Sequence, residues 1–326
     1  MQPTAPETEF ALIGRLHGRL GAIGQAGIER GIGDDAALWR PSPGFTSVIC
    51  CDTLIAGRHF PADTRPADIG WKALAVNLSD LAAMGASPVA GLLALSLPAL
   101  PTSDWIDDFC DGWMALADLH AVALIGGDTT RGPVLALTVT CIGELPHGTA
   151  LRRDGARVGD GIYVSGTLGD AAAALPNWAC RDEAWSAPLI ARLTRPQPRL
   201  ALGKALRGLA TSAIDISDGF AADIGHVLAA SGVGARIDAG RLPLSADLRA
   251  VVDPAQALGY ALGGGDDYEL CFTVPVASEH ALCDIAARTA TAITRVGTIT
   301  SEPGLVLVDA GGHVMQVPTP GWDHFT

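Results

Sequence analysis

Apolar and polar positions follow two rhythms along this chain, one near the helical period and one close to the alternation of a strand. Glu9–Leu20 carries apolar residues at helical spacing and predicts a short amphipathic helix. Phe45–Cys51 (FTSVICC) is a β-rich run and predicts a strand ending at Asp52. Pro66–Met84 predicts a helix, opened by Pro66 and Asp68 and stopped by Gly85. Val89–Leu97 reads as an apolar strand and Asp104–Leu119 as a second helix. Ala121–Ile125 and Val134–Ile142 predict two more strands, separated by a turn over GGDTTRGP.

Glu144–Asp160 (ELPHGTALRRDGARVGD) is polar, basic and punctuated by glycine, so it marks a domain boundary, with domains of 1–148 and 149–326. Beyond it, strands at Gly161–Ser165, Ala213–Ile216 and Tyr268–Val274 alternate with helices at Arg199–Leu209, Phe220–Ala230 and Ser278–Arg288. The expected class is α+β, two mixed domains each built as a sheet with helices against it. No repeat of fixed period stands out, and the echo between GIGDD (31–35) and GGGDD (263–267) is short enough for chance.

Composition agrees with that division. The chain has 326 residues, more than one core usually serves, and is 48% hydrophobic with 17% charged residues. With 22 Lys and Arg against 35 Asp and Glu, the net charge of -13 argues against nucleic acid or an anionic membrane as main partner. Phosphate substrates remain open, because a bound divalent cation reverses the local sign. Lys72 and Lys204 are the only lysines, and no G-x-x-x-x-G-K-[ST] occurs, which excludes a P-loop. The cysteines (Cys50, Cys51, Cys110, Cys141, Cys180, Cys271, Cys283) form no C-x-x-C pair and read as reduced thiols of a cytoplasmic protein. The N-terminal residues do not resemble a secretory signal, and no run reaches the roughly 18 apolar residues of a membrane span.

Candidate chemistry begins at GIGDDAAL, Gly31–Leu38, whose glycine spacing resembles a dinucleotide-binding turn but which carries Asp34 and Asp35. Aspartates recur where β-rich runs meet Gly- or Ser-containing turns: Asp52 in CCDTL, Asp128 in GGDTT, Asp215 and Asp218 in DISDG. Asp266 and Asp267 precede a strand, and Asp80 lies within the helix NLSDLAAMGA. Each alone is explained by local turn and cap preferences. Gathered together they would repel unless cations neutralised them, and oxygen ligands without convergent His or Cys favour Mg²⁺. The residues therefore point to a metal-dependent phosphoryl or nucleotidyl enzyme.

Other candidates keep two readings each. His59 in AGRHF is either a substrate group or a structural histidine. Arg152 and Arg153 either grip phosphates bidentately or belong to a solvated basic loop. Trp322 is either a stacking platform or terminal packing. Ser217 has no G-x-S-x-G context and no evident His partner, so it is not read as a nucleophile.

In order along the chain, GIGDDAAL, DTLIAGRHF, KALAVNLSDLAAMGASP, GGDTTRGP, AIDISDG, GGGDDYELCFTV and the terminal GWDHF resemble the thiamine-monophosphate kinase family. The likeness runs from about Phe10 to Phe325. It implies transfer of the γ-phosphoryl group of ATP to thiamine monophosphate, with ATP as co-substrate and several Mg²⁺ ions. It also implies two α+β domains, the N-terminal one binding ATP and magnesium and pairing across a homodimer into a β-barrel, the C-terminal one completing the site. By motif, Asp35 and Asp80 would be central Mg²⁺ ligands, Asp52 and Asp128 would hold another ion, and Asp215 and Asp218 would contribute from the second domain. Gly127, Asp128, Arg153 and Ser217 would contact ATP; His59, Asp266 and Trp322 would fall on the thiamine phosphate side. No protein nucleophile is expected, since the acceptor phosphate is already anionic.

Two positions depart from the family pattern. Cys50 and Cys51 precede Asp52 where hydroxyl residues are expected, so a metal contact at Cys51 would come from its main-chain carbonyl. Asp266 stands where relatives often carry Glu. Among related superfamily activities, the purine cyclo-ligase is opposed by KALAVNLSDLAAMGA and GWDHF. Selenophosphate synthesis lacks its reactive N-terminal Cys or Lys, and the hydrogenase maturation protein lacks its terminal cysteine here. A non-catalytic nucleotide sensor is the alternative from a different class, and the intact acidic set speaks against it.

Overall fold

The structure is a computed structural model and describes residues 8–21 and 27–316. Trp322 and the terminal GWDHF lie outside the described residues. The chain divides into two compact units: residues through Leu81 with Ala86–Gly148, and Ala82–Gly85 with the residues from Thr149 onward.

The first unit holds α1 (Glu9–Leu20), β1 (Ile28–Arg30), β2 (Leu38–Trp39), β3 (Phe45–Ile55) and α2 (Pro66–Ala83). It continues with β4 (Ser87–Leu97), α3 (Ser103–His120), β5 (Ala123–Arg131) and β6 (Ala136–Pro146). Strands β3, β6, β4 and β5 form an open four-stranded sheet in that order, antiparallel except for the parallel pair β4–β5. Every residue from Trp71 to Ser79 is buried, so α2 is an internal helix over that stretch. Strand β3 alternates, with Leu54 buried while Ile49 is 66% exposed, so one face of the sheet is covered and the other largely open.

Helices α2 and α3 approach through glycine. A Cβ on Gly112 would overlap the Ala67 carbonyl, and one on Gly70 would overlap the Phe109 carbonyl. Glycine at both positions lets the two backbones touch, a closeness that any side chain would prevent. On the far side of α3, Arg15 of α1 forms a paired contact with Asp107 through Nε (3.1 Å) and Nη2 (3.0 Å).

The second unit holds β7 (Gly161–Ser165), α4 (Asp170–Ala174), α5 (Ala187–Thr194), α6 (Leu200–Leu206), β8 (Ser212–Ile216) and α7 (Phe220–Ser231). It continues with β9 (Gly234–Asp238), α8 (Ala246–Val251), α9 (Pro254–Gly263), β10 (Glu269–Val274) and α10 (Ala281–Thr289). Strands β11 (Ile293–Thr300), β12 (Gly304–Val308) and β13 (Val314–Met315) complete it. Seven strands run in the order β13-β12-β9-β11-β7-β10-β8, antiparallel except for β9–β12. The core lies where Ile162, Val164, Ile214 and Ile216 of the sheet meet Phe220 and Ile224 of α7. Mixed α/β architecture in two domains is therefore present, and each sheet is open within the chain. No helix among the described residues is long and apolar enough to cross a membrane.

One element differs from expectation. GGDTTR is not a turn: it is the second half of β5, paired in parallel with Leu92–Leu97 of β4. The reason is backbone proximity. A Cβ on Gly127 would overlap the Leu93 carbonyl, so glycine here admits a neighbouring strand instead of breaking one. Similarly, β3 runs past Asp52 to Ile55, because every residue of that stretch pairs with β6.

The glycine contact between α2 and α3 sets a stability test. Gly112→Ala gains helix propensity worth up to about 1 kcal/mol, yet the carbonyl overlap forces the helices apart. We expect a net destabilisation of about 2 kcal/mol, read as a lower urea midpoint with an unchanged m-value.

Candidate functional site

In the first unit, residues 31–36 form an irregular loop between β1 and β2. Ile28 and Ala37 anchor its two ends against Ala90, Ala123 and Ile125 of the sheet. Asp34 is spent on the loop itself: its carboxylate accepts from Arg30 Nε (3.0 Å) and Nη2 (2.8 Å) and from the Asp35 amide (3.0 Å). The Arg30 hydrogen bonds, aided by that amide, hold Asp34 below the usual carboxylate range. Asp35 beside it is exposed, leaving its carboxylate the one presented by the loop.

Asp52 of β3 and Asp80 of α2 share a neighbourhood around two thiols. Cys50 Sγ donates to the Asn77 carbonyl of α2 (3.3 Å), and Cys141 faces Cys50 across the β3–β6 pair. Burial first, then the nearby Asp80 and Asp52 charges, push the Cys50 thiol far above its ordinary value. Burial and the same two carboxylates raise Cys141 to about 12. Both thiols therefore stay protonated and are poor metal donors. Exposed Cys51 has its sulfur against the Thr140 hydroxyl, which donates to it at 3.3 Å.

Asp128 stands apart from Asp52. Register aligns Asp52 with Val139 and, through it, Leu93, whereas Asp128 aligns with Ala94. Adjacent rows of a pleated sheet face opposite sides, so the sheet by itself does not seat these two carboxylates together. Gly127 and Asp128 are both exposed. His59 follows β3 in a tight turn. Its Nδ1 accepts from the Ile55 amide (3.0 Å), which puts the ring proton on Nε2, and buried Lys72 donates to its carbonyl (3.1 Å).

The second unit brings two acidic loops into contact. Asp215 is buried at the end of β8, and the turn after it carries Ser217 and Asp218. The amides of Ser217 (3.0 Å) and Asp218 (3.1 Å) both donate to Asp223 Oδ2 from the first turn of α7. Ser217 in turn offers its carbonyl to the Asp266 amide (2.9 Å), and Ile216 offers its own to the Tyr268 amide (2.8 Å). A Cβ on Gly265 would overlap the Ser217 carbonyl, which explains the glycine run before Asp266. GIGDD and GGGDD are thus two different loops with different duties.

Asp266 and Tyr268 adopt φ of 69° and 50°, left-handed conformations that cost roughly 1 kcal/mol or more each. The Tyr268 hydroxyl donates to Asp266 Oδ1 (3.0 Å), fixing that carboxylate on the strained segment. Asp267 between them is buried and accepts the Gly169 amide with both oxygens (2.9 and 3.0 Å). Burial keeps its carboxyl well above the usual range. Beneath lies Glu269, fully buried, which accepts from Arg192 Nη2 (2.9 Å), Arg199 Nε (2.7 Å) and Ser165 Oγ (2.5 Å). Arg192 Nη2 also reaches the Thr167 and Asp267 carbonyls (3.2 and 3.3 Å), tying the cluster to the loop above.

Asp223 is raised to about 7, by burial first and then by Asp215, against the two amide hydrogen bonds that lower it. Arg152 is committed to Asp154, whereas Arg153 is exposed and makes no ion pair with the described residues. Its main-chain carbonyl accepts from Ser231 Oγ (2.9 Å).

Asp223, Glu269, Arg192 and Arg199 were not singled out from sequence, and Asp267 entered only beside Asp266 as an acid preceding a strand. Glu269 carried a usable signal: a lone acid opening the apolar run ELCFTV must be buried, and a buried charge needs partners. Among the described residues no three His, Cys, Asp or Glu side chains converge as a metal cage. That arrangement still fits Mg²⁺, which binds through one or two carboxylates and completes its shell with water and substrate phosphates. The donors on offer are carboxylate oxygens, since burial and the nearby carboxylates push the Cys50 and Cys141 thiols up.

Two family models match the chain: the N-terminal domain of AIR synthase related protein over residues 33–145, and its C-terminal domain over residues 157–310. A thiamine-monophosphate kinase of Escherichia coli K12 is 47% identical over 322 residues, spanning 97% of this chain and 98% of its own. The crystal structure of the thiamine-monophosphate kinase of Stenotrophomonas maltophilia superposes with a TM-score of 0.86 at 49% identity, over 94% of this chain and 98% of that one. AaThiL, solved in complex with AMPPCP and TMP, superposes with a TM-score of 0.76 at 30% identity, over 97% of both chains.

The Glu269 cluster predicts a strong stability effect. Glu269→Gln removes the charge between Arg192 and Arg199 and should cost about 3 kcal/mol, measured by equilibrium unfolding. Surface carboxylate replacements such as Asp284→Asn should stay within about 0.5 kcal/mol.

Proposed function

The chain belongs to the AIR synthase-related family and within it to the thiamine-monophosphate kinases, and we propose that it makes thiamine diphosphate by phosphorylating thiamine monophosphate with ATP. The observation that carries this reading is full-length likeness to AaThiL, a protein solved with the ATP analogue AMPPCP and TMP. In the reaction a phosphate oxygen of the acceptor forms a bond to the γ-phosphorus. The bond from that phosphorus to the bridging oxygen breaks, and ADP leaves with the electron pair. The acceptor oxygen is anionic near neutral pH, so no side chain has to remove a proton. This accounts for a candidate site rich in carboxylates yet without a nucleophile–base pair.

The residues then divide by task. Arg153 offers a guanidinium suited to bidentate phosphate binding, and Gly127 and Ser217 stand on the nucleotide side. His59 and Asp266 orient the thiamine phosphate, with Trp322 assigned to that side by motif. His59 presents Nε2, since Nδ1 is occupied by the Ile55 amide. Asp35, Asp52, Asp80, Asp128, Asp215 and Asp218, with the Cys51 carbonyl, are the proposed donors for Mg²⁺. Magnesium, when bound, would neutralise charge on the transferring phosphates. Positioning supplies the rest of the catalysis.

A homodimer belongs to the same reading. The open face of the four-stranded sheet, where Ile49 is exposed, is the surface a second copy would cover to close a barrel. Ile49→Asp should therefore convert a dimer into a monomer, seen as a halved mass in light scattering.

Incubation with Mg²⁺, ATP and thiamine monophosphate should give thiamine diphosphate and ADP, resolved by chromatography. No product at any Mg²⁺ concentration would overturn the assignment. Because Asp35 is exposed, Asp35→Asn should leave the melting temperature unchanged while lowering kcat by about 100-fold or more. Normal Mg²⁺-dependent turnover in that variant would remove Asp35 from the donor set.

A further inference from the structure

We propose that Asp223 is a positioning residue for this reaction: it sets the backbone of the Ser217–Asp218 turn and, through that turn, the placement of Asp266. The inference rests on the kinase reading above. Gly219 stands at the cap position before helix α7; its φ of 113° turns the chain sharply, and it has no side chain to cap the helix. Asp223 supplies what the cap lacks, but to the residues before the helix. A single oxygen, Oδ2, takes both the Ser217 amide at 3.0 Å and the Asp218 amide at 3.1 Å. Two amides converging on one acceptor fix the plane of the peptide between them.

That peptide is a junction. The Ser217 carbonyl receives the Asp266 amide at 2.9 Å, and Gly265 packs directly against the same carbonyl. Rotation of the Ser217 peptide therefore moves Asp266, which stands at the left-handed φ of 69°. Asp223 touches neither substrate by this assignment; it acts through the turn.

Its placement is costly for a residue concerned only with stability. Asp223 is 3% exposed and lies close to the Asp215 and Asp218 carboxylates, whose charges oppose its own. In exchange one side-chain oxygen takes two successive backbone amides, which ties the turn at two points rather than one. Rigid support of residues that meet the ligand is the requirement for productive geometry.

Three variants test the inference. Asp223→Asn retains an oxygen able to take both amides, Asp223→Glu displaces the oxygens by one methylene, and Asp223→Ala removes them. AMPPCP affinity is measured by calorimetry at fixed Mg²⁺, and kcat and KM for both substrates by product formation. Asp223→Ala and Asp223→Glu should weaken AMPPCP binding and raise the KM for ATP and for thiamine monophosphate by about tenfold each, the equivalent of 1.4 kcal/mol. Asp223→Asn should stay within about threefold of wild type. Wild-type affinity in Asp223→Glu, or in a folded Asp223→Ala with merely a lower melting temperature, would overturn the proposal. A loss in Asp223→Asn equal to that in Asp223→Glu would also overturn it, because charge rather than hydrogen-bond geometry would then be the determinant. Failure of wild type to form thiamine diphosphate would instead reject the kinase reading, and the calorimetric comparison would still judge Asp223.

Discussion

Glu269 is a fully buried carboxylate held between two guanidinium groups, and the acidic loops of the second unit depend on it. A charge in that position is tolerated only if its oxygens are fully hydrogen-bonded. Arg192, Arg199 and Ser165 meet that demand, and Arg192 extends the network to the Asp267 and Thr167 carbonyls. The segment above can therefore hold two left-handed excursions, at Asp266 and Tyr268 on either side of Asp267, without relaxing. Strain persists where surroundings over-determine the backbone, and this buried network provides that determination.

The same economy governs the remaining carboxylates. Asp34 is tied to Arg30 and the neighbouring amide, Asp223 to two amides, and Asp267 to the Gly169 amide. Each of these acids is consumed in shaping a loop. The neighbours they support, Asp35, Asp218 and Asp266, are among those proposed to meet ions and substrate. In the pairs Asp34–Asp35 and Asp266–Asp267, the carboxylate with backbone partners shapes the loop, and its neighbour is the one proposed to meet the ligands.

Glycine carries the complementary burden. Gly70 and Gly112 bring two helices into backbone contact, Gly127 brings β5 against β4, and Gly265 brings one acidic loop against another. These positions look alike in the sequence, as breaks in an apolar pattern. Their meanings differ because close approach to a distant backbone leaves no local trace. GGDTTRGP therefore has the composition of a turn although its first six residues continue a strand. The echo of GIGDD and GGGDD is short enough for chance, and the second of them is wedged against the DISDG turn.

The sequence by itself determined the alternation of helix and strand, the helix from Glu9 to Leu20, the acidic motifs and the family they belong to. Those are properties of short windows and ordered motifs, in which local period and residue type suffice. Only tertiary structure decided which member of each acidic pair is spent on the backbone, that Asp52 and Asp128 fall in different rows of one sheet, and that Asp223 reaches back to the turn preceding its own helix. Hydrogen-bond partners and strand register depend on which distant segments meet. A chain read one window at a time does not contain that information.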